Sequence, residues 1–124
     1  MITLNAKERK LIRDRCNSYR IQDKRKGRDY SNNIKLEQFV QIYEEQQGLC
    51  WYTGLPLTLG EGGQMEASLE RIDCSQGHSY DNCVLVGASI NFSRGNKDIV
   101  TFCRYLDSLG LLVADASAIL AKYF

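Results

Sequence analysis

The chain has 124 residues, of which 44% are hydrophobic and 25% are charged, which excludes wholesale disorder and leaves room for one modest core rather than two ordinary domains. No apolar run approaches the roughly 20 residues that cross a bilayer. Since residues 1–10 are also too charged for a signal peptide, we expect a soluble, cytoplasmic protein with no membrane partner.

The five cysteines are scattered along the chain, and no two of them form a C-x-x-C pair. An odd number at irregular spacing predicts neither a disulfide framework nor a structural zinc site. We therefore expect reduced thiols.

The formal net charge of +1 hides a strong asymmetry. Residues 7–28 hold ten of the 16 lysines and arginines against three acids, so this segment carries +7 and the remainder carries −6. A basic segment on an otherwise acidic chain is typical of a polyanion binder, because each phosphate contact releases counterions. A solvated helix face is the alternative interpretation.

Two amphipathic helices are predicted in the first half of the chain. Asn5 can cap a helix that begins at Ala6 and runs to about Ile21 or beyond, followed by a basic loop over residues 26–33. The second helix has its apolar residues at the i, i+3, i+4 and i+7 positions and is stopped by Gly48. These apolar residues are Leu36, Phe39, Val40 and Tyr43.

The second half of the chain is predicted to be mixed. Short extended pieces at 50–52 and 55–59 precede strands at 67–72 and 82–86, a short helix at 88–94, and helices at 99–109 and 114–123. The prediction is one α+β domain over 1–124. It consists of a basic helix and loop (1–35), a core (36–97) and C-terminal helices (98–124).

Two strands followed at once by a short helix form a ββα unit, whose first strand and helix can converge on one ion. Glu70 supplies a carboxylate oxygen and Asn91 an amide oxygen, the ligand types that Mg²⁺ accepts while keeping several waters. Arg71 beside them could hold a phosphate through paired hydrogen bonds. The alternatives are a surface salt bridge between Glu70 and Arg71 and an ordinary helix residue at Asn91.

Four segments in order, LCWYTGLPL at 49–57, ASLERID at 67–73, GHSYDN at 77–82 and INFSRG at 90–95, resemble a phage-type branch of the HNH (His-Me finger) endonucleases. The resemblance covers about residues 15–97. It implies a ββα-metal core, with a basic helix before it and the C-terminal helices outside the likeness. It also implies a phage or mobile-element DNA endonuclease that hydrolyses phosphodiester bonds in double-stranded DNA with one Mg²⁺ or Mn²⁺.

In that branch an acidic residue followed by arginine replaces the usual aspartate–histidine pair. The resemblance therefore implies metal ligands at Glu70 and Asn91, a catalytic phosphate contact at Arg71, and a structural Asn82 that pins the hairpin loop. Glu70 departs from the pattern because the branch usually has aspartate there, and one extra methylene moves an oxygen by roughly an ångström.

The general-base position holds no histidine, since Arg71 cannot accept a proton. A resemblance to a rare-cutting restriction endonuclease indicates Tyr43 as the catalytic base, and a core tyrosine on the second helix is the alternative. His78, the only histidine in the chain, is the other catalytic candidate. Its loop position, where members of the resembled branch commonly carry tyrosine, favours a surface or DNA-facing residue.

Contacts to DNA phosphates are predicted along the basic segment and just beyond the short helix. The residues are Arg13, Arg20, Lys24, Arg25, Lys26, Arg28, Arg94 and Lys97. A homodimer would allow both strands of a palindrome to be cut. The missing base histidine and Glu70 leave open a catalytically inactive DNA-binding or protein-inhibiting factor, and Leu111, Leu112 and Leu120 leave open an assembly role.

Overall fold

The computed structural model describes residues 2–95 and 97–112. Within these residues the chain is mixed α+β, with four α-helices and a two-stranded antiparallel sheet. In chain order the elements are α1 (Ala6–Arg25), α2 (Leu36–Glu45), β1 (Ala67–Arg71), β2 (Cys83–Gly87), α3 (Ala88–Arg94) and α4 (Ile99–Ser108). The helix predicted at 114–123, with Leu120, lies outside the described residues.

Helix α1 begins where the sequence predicted, at a reciprocal cap. The Asn5 side chain accepts from the Glu8 backbone N–H at 2.8 Å, and the Glu8 carboxylate accepts from the Asn5 N–H at 3.0 Å. Ile12 and Cys16 lie on its apolar face and are buried in the core. The helix continues past Ile21 to Arg25, which places Asp23 on the same buried face.

Helix α2 buries Leu36, Phe39 and Ile42, and the chain turns away at Gly48, whose φ of +70° suits glycine. Residues 50–59 differ from the predicted extended pieces, because they form a turn with isolated bridges rather than strands. The turn is closed by hydrogen bonds from Cys50 N–H to the Leu55 carbonyl and from Gly54 N–H to the Cys50 carbonyl.

Strands β1 and β2 pair in antiparallel register, with Ala67 opposite Gly87 and Arg71 opposite Cys83. They end within one residue of the predicted bounds, and α3 follows β2 without a break, as predicted. Helix α3 packs on both strands. The described chain therefore contains a hairpin followed directly by a short helix.

Side chains occupy the outer edges of this small sheet. On β2 the Gln46 amide accepts from the Leu85 N–H and donates to the Leu85 carbonyl, both at 2.8 Å. On β1 the Leu69 N–H donates to the Tyr19 hydroxyl at 3.3 Å, and the Leu69 carbonyl accepts from the Asn91 amide at 3.0 Å. These contacts tie α1, α2 and α3 to the hairpin.

Helix α4 completes the core. Asp98 caps its N-terminus, with its carboxylate accepting a hydrogen bond from the Thr101 N–H. The helix buries Ile99, Phe102 and Leu106. Phe102 packs edge-on against Tyr52, with ring centroids 5.2 Å apart. Among the described helices, none has the length and apolar character needed to cross a membrane.

Candidate functional site

A cleft of about 270 Å³ opens between α1, β1, α3 and the loop that joins β1 to β2. Four of the residues predicted as catalytic or metal-binding line it, namely Glu70, Arg71, His78 and Asn91. Tyr19 from α1 and Arg94 from α3 also line it. The fold thus brings the predicted acid, arginine, histidine and asparagine into one space.

Glu70 forms the floor of this cleft and is only 3% exposed. Burial raises the pKa of its carboxyl group, although the Tyr52 hydroxyl and the Arg94 guanidinium act in the opposite direction. The nearest Arg94 nitrogen lies 3.2 Å from Glu70 Oε1, but among the described residues neither carboxylate oxygen makes a hydrogen bond of good geometry. Because Arg94 already lies beside this buried carboxylate, a further cation would have to compete with the guanidinium for it.

Asn91 is held in a fixed orientation by β1. Its Nδ2 donates to Ser68 Oγ at 2.8 Å and to the Leu69 carbonyl at 3.0 Å. Because the nitrogen side of the amide is bound to the strand, Oδ1 is the atom that remains accessible to the cleft. Asn91 can therefore offer a neutral oxygen ligand beside the Glu70 carboxylate.

Arg71 and Asn82 organise the loop at the mouth of the cleft. One Arg71 nitrogen donates to the carbonyls of Cys74 and Gln76, which leaves the rest of the half-exposed guanidinium without a partner among the described residues. The Asn82 side chain accepts from the Asp73 N–H at 2.9 Å and donates to the carbonyls of Asp73 and Gly77. Asn82 thus has a structural role, and Arg71 keeps free donors for an anion.

His78 lies in an environment unlike the surface position that its loop suggested. It is 5% exposed, and Asp23 accepts from both its backbone N–H, at 2.7 Å, and its ring Nδ1, at 3.0 Å. Arg28 donates to the same carboxylate at 2.8 Å. The expectation of a surface or DNA-facing residue was therefore wrong, because a buried acid on α1 draws the imidazole inward.

The tautomer of His78 follows from these partners. Burial acts to raise the pKa of Asp23, but hydrogen bonds from His78 and Arg28 lower it overall, so the carboxylate is ionised and can only accept. Burial lowers the pKa of His78, so its ring is neutral at pH 7 and carries its proton on Nδ1. Nε2 then holds a lone pair, and the His78 side chain is part of the lining of the cleft.

Tyr19 links this imidazole to the sheet. Its ring stacks on His78 with a centroid separation of 4.6 Å and an interplanar angle of 25°, while its hydroxyl accepts from the Leu69 N–H. The same strand carries Glu70 one residue later. The histidine and the carboxylate are therefore positioned by one connected set of contacts.

Tyr43 does not contribute to this cleft, which corrects the expectation that it acts as the base. It is half-buried on α2 and packs against Gly48: a Cβ added to Gly48 would lie 3.0 Å from the Tyr43 hydroxyl oxygen. The alternative interpretation, a tyrosine continuing the apolar face of α2, describes its position.

The predicted DNA-binding residues fall into two groups. Five are exposed on α1 or at its C-terminal end, and Lys97 is exposed beyond α3. The five are Arg13, Arg20, Lys24, Arg25 and Lys26. Arg94 is 2% exposed and donates to the carbonyls of Arg71, Ile72 and Lys97, so the prediction of a phosphate contact at this residue was wrong. Arg28 is committed to Asp23.

A second concave surface lies on the other flank of α1. Arg9, Arg13 and Arg20, together with Lys35 at the start of α2, line a groove of about 400 Å³ whose one acidic lining residue is Glu37. Since an α-helix turns about 100° per residue, these arginines face away from Tyr19 and the cleft. We call this surface the basic groove.

Sequence reasoning missed Asp23 and the internal role of Arg94. The position of Asp23 carried a signal, since Ile12, Cys16, Tyr19 and Asp23 share the 4-3-4 spacing of one helical face. An acid on a buried face needs a partner, and this requirement could have directed attention to His78. No local signal marked Arg94, because the Arg71 and Ile72 carbonyls that accept from it lie 23 and 22 residues away in the chain.

Compared with known proteins, the chain matches no family model, no curated protein and no solved structure. Within residues 2–95 and 97–112, no cluster of three or more His, Cys, Asp or Glu side chains could bind a metal ion by itself. An ion at Glu70 and Asn91 would therefore need water or substrate oxygens to complete its coordination.

Proposed function

We propose that the chain is a metal-dependent endonuclease that hydrolyses phosphodiester bonds in DNA at the cleft. One observation carries this proposal: a neutral histidine, oriented by a buried aspartate and with Nε2 unprotonated, lines the same cleft as Glu70, Arg71 and Asn91. This combination offers a base, an acidic ligand, an amide ligand and an anion contact within one cleft.

The chain's own groups divide the reaction between them. Nε2 of His78 accepts a proton from a water molecule, whose oxygen attacks phosphorus while the bond from phosphorus to the leaving sugar oxygen breaks. Asp23 stabilises the imidazolium that forms, and the free donors of Arg71 hold the non-bridging phosphate oxygens. The leaving sugar oxygen takes up a proton from solvent water, so the products are a terminal phosphate and a free sugar hydroxyl.

The donor set fits a hard divalent ion such as Mg²⁺ or Mn²⁺. Glu70 and the Oδ1 atom of Asn91 would hold it, since one is a carboxylate and the other is an amide oxygen whose nitrogen is bound to β1. When bound, such an ion supplies positive charge for the phosphate and for the leaving oxygen.

Nicking of supercoiled plasmid tests the proposal. Activity is expected with Mg²⁺ or Mn²⁺ and not with EDTA, and it should fall by at least about 100-fold in Glu70→Gln, Asn91→Ala and His78→Gly. Added imidazole should restore part of the activity of His78→Gly, because a free base can occupy the vacated position. Tyr43→Phe is the matched control and should cut like the parent.

Thermal melts must show that each variant is folded before its activity is compared. Failure of the folded parent to nick DNA with any divalent ion would overturn the nuclease proposal. Loss of activity in Tyr43→Phe, with His78→Gly unaffected, would return the base role to the tyrosine.

A DNA-binding protein without cleavage is the second candidate, and one observation favours it. The Arg94 guanidinium lies 3.2 Å from Glu70, and both carboxylate oxygens are shielded from solvent, so an internal cation already neutralises the acid. An ion can reach Glu70 only if Arg94 turns away. Salt-sensitive DNA binding without metal binding, measured by calorimetry with Mn²⁺, would identify this second function.

A further inference from the structure

Phe92 is the exposed aromatic residue of α3. Its side chain is 89% exposed, whereas the next large hydrophobic residues in the described part of the chain, Leu109 and Leu55, are 53% and 51% exposed. Single apolar residues on a surface are ordinary, but a phenylalanine exposed on nearly all sides loses almost all of its burial free energy. Its ring is available to a partner.

The surroundings of Phe92 leave its ring standing clear of the surface. Among the described residues, the helical neighbours one turn away are Ala88, Ser89 and Gly95, all of which are small. Gly95 is itself exposed, and no atom would lie within 4 Å of a Cβ placed there. From the side of these three residues, a broad, flat ligand can approach the ring.

The backbone beneath Phe92 is held firmly. The residue before it, Asn91, is bound to β1 through its amide nitrogen. Two residues after Phe92, the buried Arg94 guanidinium donates to the carbonyls of Arg71 and Ile72. Because these contacts fix α3 against the hairpin, the ring projects from a rigid support. Little conformational freedom remains to be lost when a partner binds.

Charge around Phe92 favours a polyanion. Helix α3 contains no acidic residue, and Lys97 is exposed just beyond it, with its ammonium group donating to the Ser93 carbonyl at 3.1 Å. Asn91, the preceding residue, lines the cleft proposed to bind the phosphate. Gly95, three residues beyond Phe92, also lines it, so Phe92 lies in the segment between two residues that border the candidate phosphate site.

We propose that Phe92 inserts between neighbouring bases of DNA whose phosphate lies in the cleft, and that it thereby opens the base stack beside the bond to be cut. This inference rests on the proposed DNA-binding function. An aromatic ring can replace the stacking surface that a base loses, and apolar side chains act as such wedges in proteins that kink DNA. Flexible pyrimidine–purine steps, which unstack most easily, are the expected targets.

The test measures DNA binding rather than cleavage, in EDTA, with duplexes that carry 2-aminopurine at successive positions of a TA step. Binding of the parent should raise the fluorescence of the probe at the unstacked position. Phe92→Ala should lose this rise and bind about tenfold more weakly. The slope of log K against log salt should stay unchanged, because the ring releases no counterions.

Leu55→Ala is the matched control, since Leu55 is also exposed and apolar but lies in the turn after α2 rather than on α3. It should match the parent in affinity and fluorescence, and Phe92→Trp should retain both properties. Neither position is buried, so each variant is expected to fold.

The possible outcomes separate the wedge from the function on which it rests. Salt-dependent binding by the parent, with equal affinity and fluorescence in Phe92→Ala, would overturn the wedge and leave DNA binding in place. No DNA binding by the parent would overturn both proposals. A parent dimer that Phe92→Ala converts to a monomer, with DNA binding unchanged, would assign the ring to a second copy of the chain.

Discussion

Burial lowers the pKa of His78 below its ordinary range, while Asp23 opposes this shift and the charges of Arg71 and Arg28 reinforce it. The unfolded chain, with an ordinary histidine pKa of about 6.5, therefore takes up a proton at higher pH than the folded chain. The unfolded state binds more protons between these two pKa values, so stability falls as the pH drops below about 6.5. Above that pH the contribution is fully present.

Urea unfolding of the parent and of His78→Gln at pH 7 and at pH 5.5 measures this effect. The parent should lose more unfolding free energy between the two pH values than the variant does, because the chain contains no other histidine. Equal losses in the two proteins would mean that His78 titrates normally in the folded state.

The Glu70–Arg94 pair should stabilise the fold mainly because either charge would be costly to bury without the other, and less through the attraction between them. Arg94→Met leaves a buried carboxylate without its cation and removes the donors to three backbone carbonyls. We expect a loss of about 3–5 kcal/mol in unfolding free energy. The double variant Glu70→Gln with Arg94→Met should be more stable than the sum of the two single losses predicts.

The measurement is a double-mutant cycle by urea denaturation at pH 7. Additive losses would show that the two groups do not interact, despite the 3.2 Å separation between Arg94 Nη1 and Glu70 Oε1.

At the scale of single elements, the loop between β1 and β2 depends on Gly77. A Cβ at this position would lie 2.1 Å from the Asp29 carbonyl oxygen and 2.9 Å from Asp23 Oδ2. Gly77→Ala must therefore move either the loop that carries His78 or the one that carries Asp29. We expect a loss of about 2–4 kcal/mol, together with a weakened contact between His78 and Asp23.

Gly87→Ala is the matched control in the same hairpin. Its Cβ would chiefly meet the end of the flexible Met65 side chain, at 2.8 Å from the sulfur, so a smaller loss is expected. Thermal melts of both variants make the comparison, and a larger loss at Gly87 would contradict the steric account of Gly77.

The elements themselves were largely predictable, because local rules determine them. The Asn5 cap and the apolar spacing of α2 are signals within one or two turns of helix, and Gly95 marks the end of α3. For residues 50–59 the sequence predicts extended pieces joined by turns at Thr53, Gly54 and Pro56, whereas the whole segment forms a turn with isolated bridges, because tertiary contacts rather than local pattern decide strand pairing. The sequence did not reveal which charges would be buried, because Asp23, Glu70 and Arg94 acquire their partners only through tertiary contacts.

At the scale of the whole molecule, the basic segment is divided between surfaces. Tyr19 and Gln22 of α1 line the cleft, whereas Arg13 and Arg20 line the basic groove on the other flank, where Arg20 also lies over the Tyr30 ring. Under the proposed function, a DNA backbone that contacts both the cleft and the basic groove must pass across α1.

Substitution of both groove arginines, Arg13→Ala with Arg20→Ala, should weaken DNA binding for all sequences alike. The slope of log K against log salt should become shallower by roughly 2, at about 0.9 for each phosphate that the protein no longer neutralises. Arg104→Ala, an exposed arginine on α4, is the control and should leave the slope unchanged. Fluorescence anisotropy between 50 and about 200 mM salt provides the measurement, and equal slopes for all three proteins would exclude the basic groove from the DNA path.

The hydrogen bonds along the outer edges of the hairpin have a consequence for association between molecules. A two-stranded sheet has two edges that could recruit strands from other chains and start aggregation. Here Gln46 pairs with both backbone groups of Leu85 as a neighbouring strand would, and Tyr19 and Asn91 do the same at Leu69. Asn91 therefore serves twice: the amide that presents an oxygen to the cleft also closes one edge of the sheet to further strands.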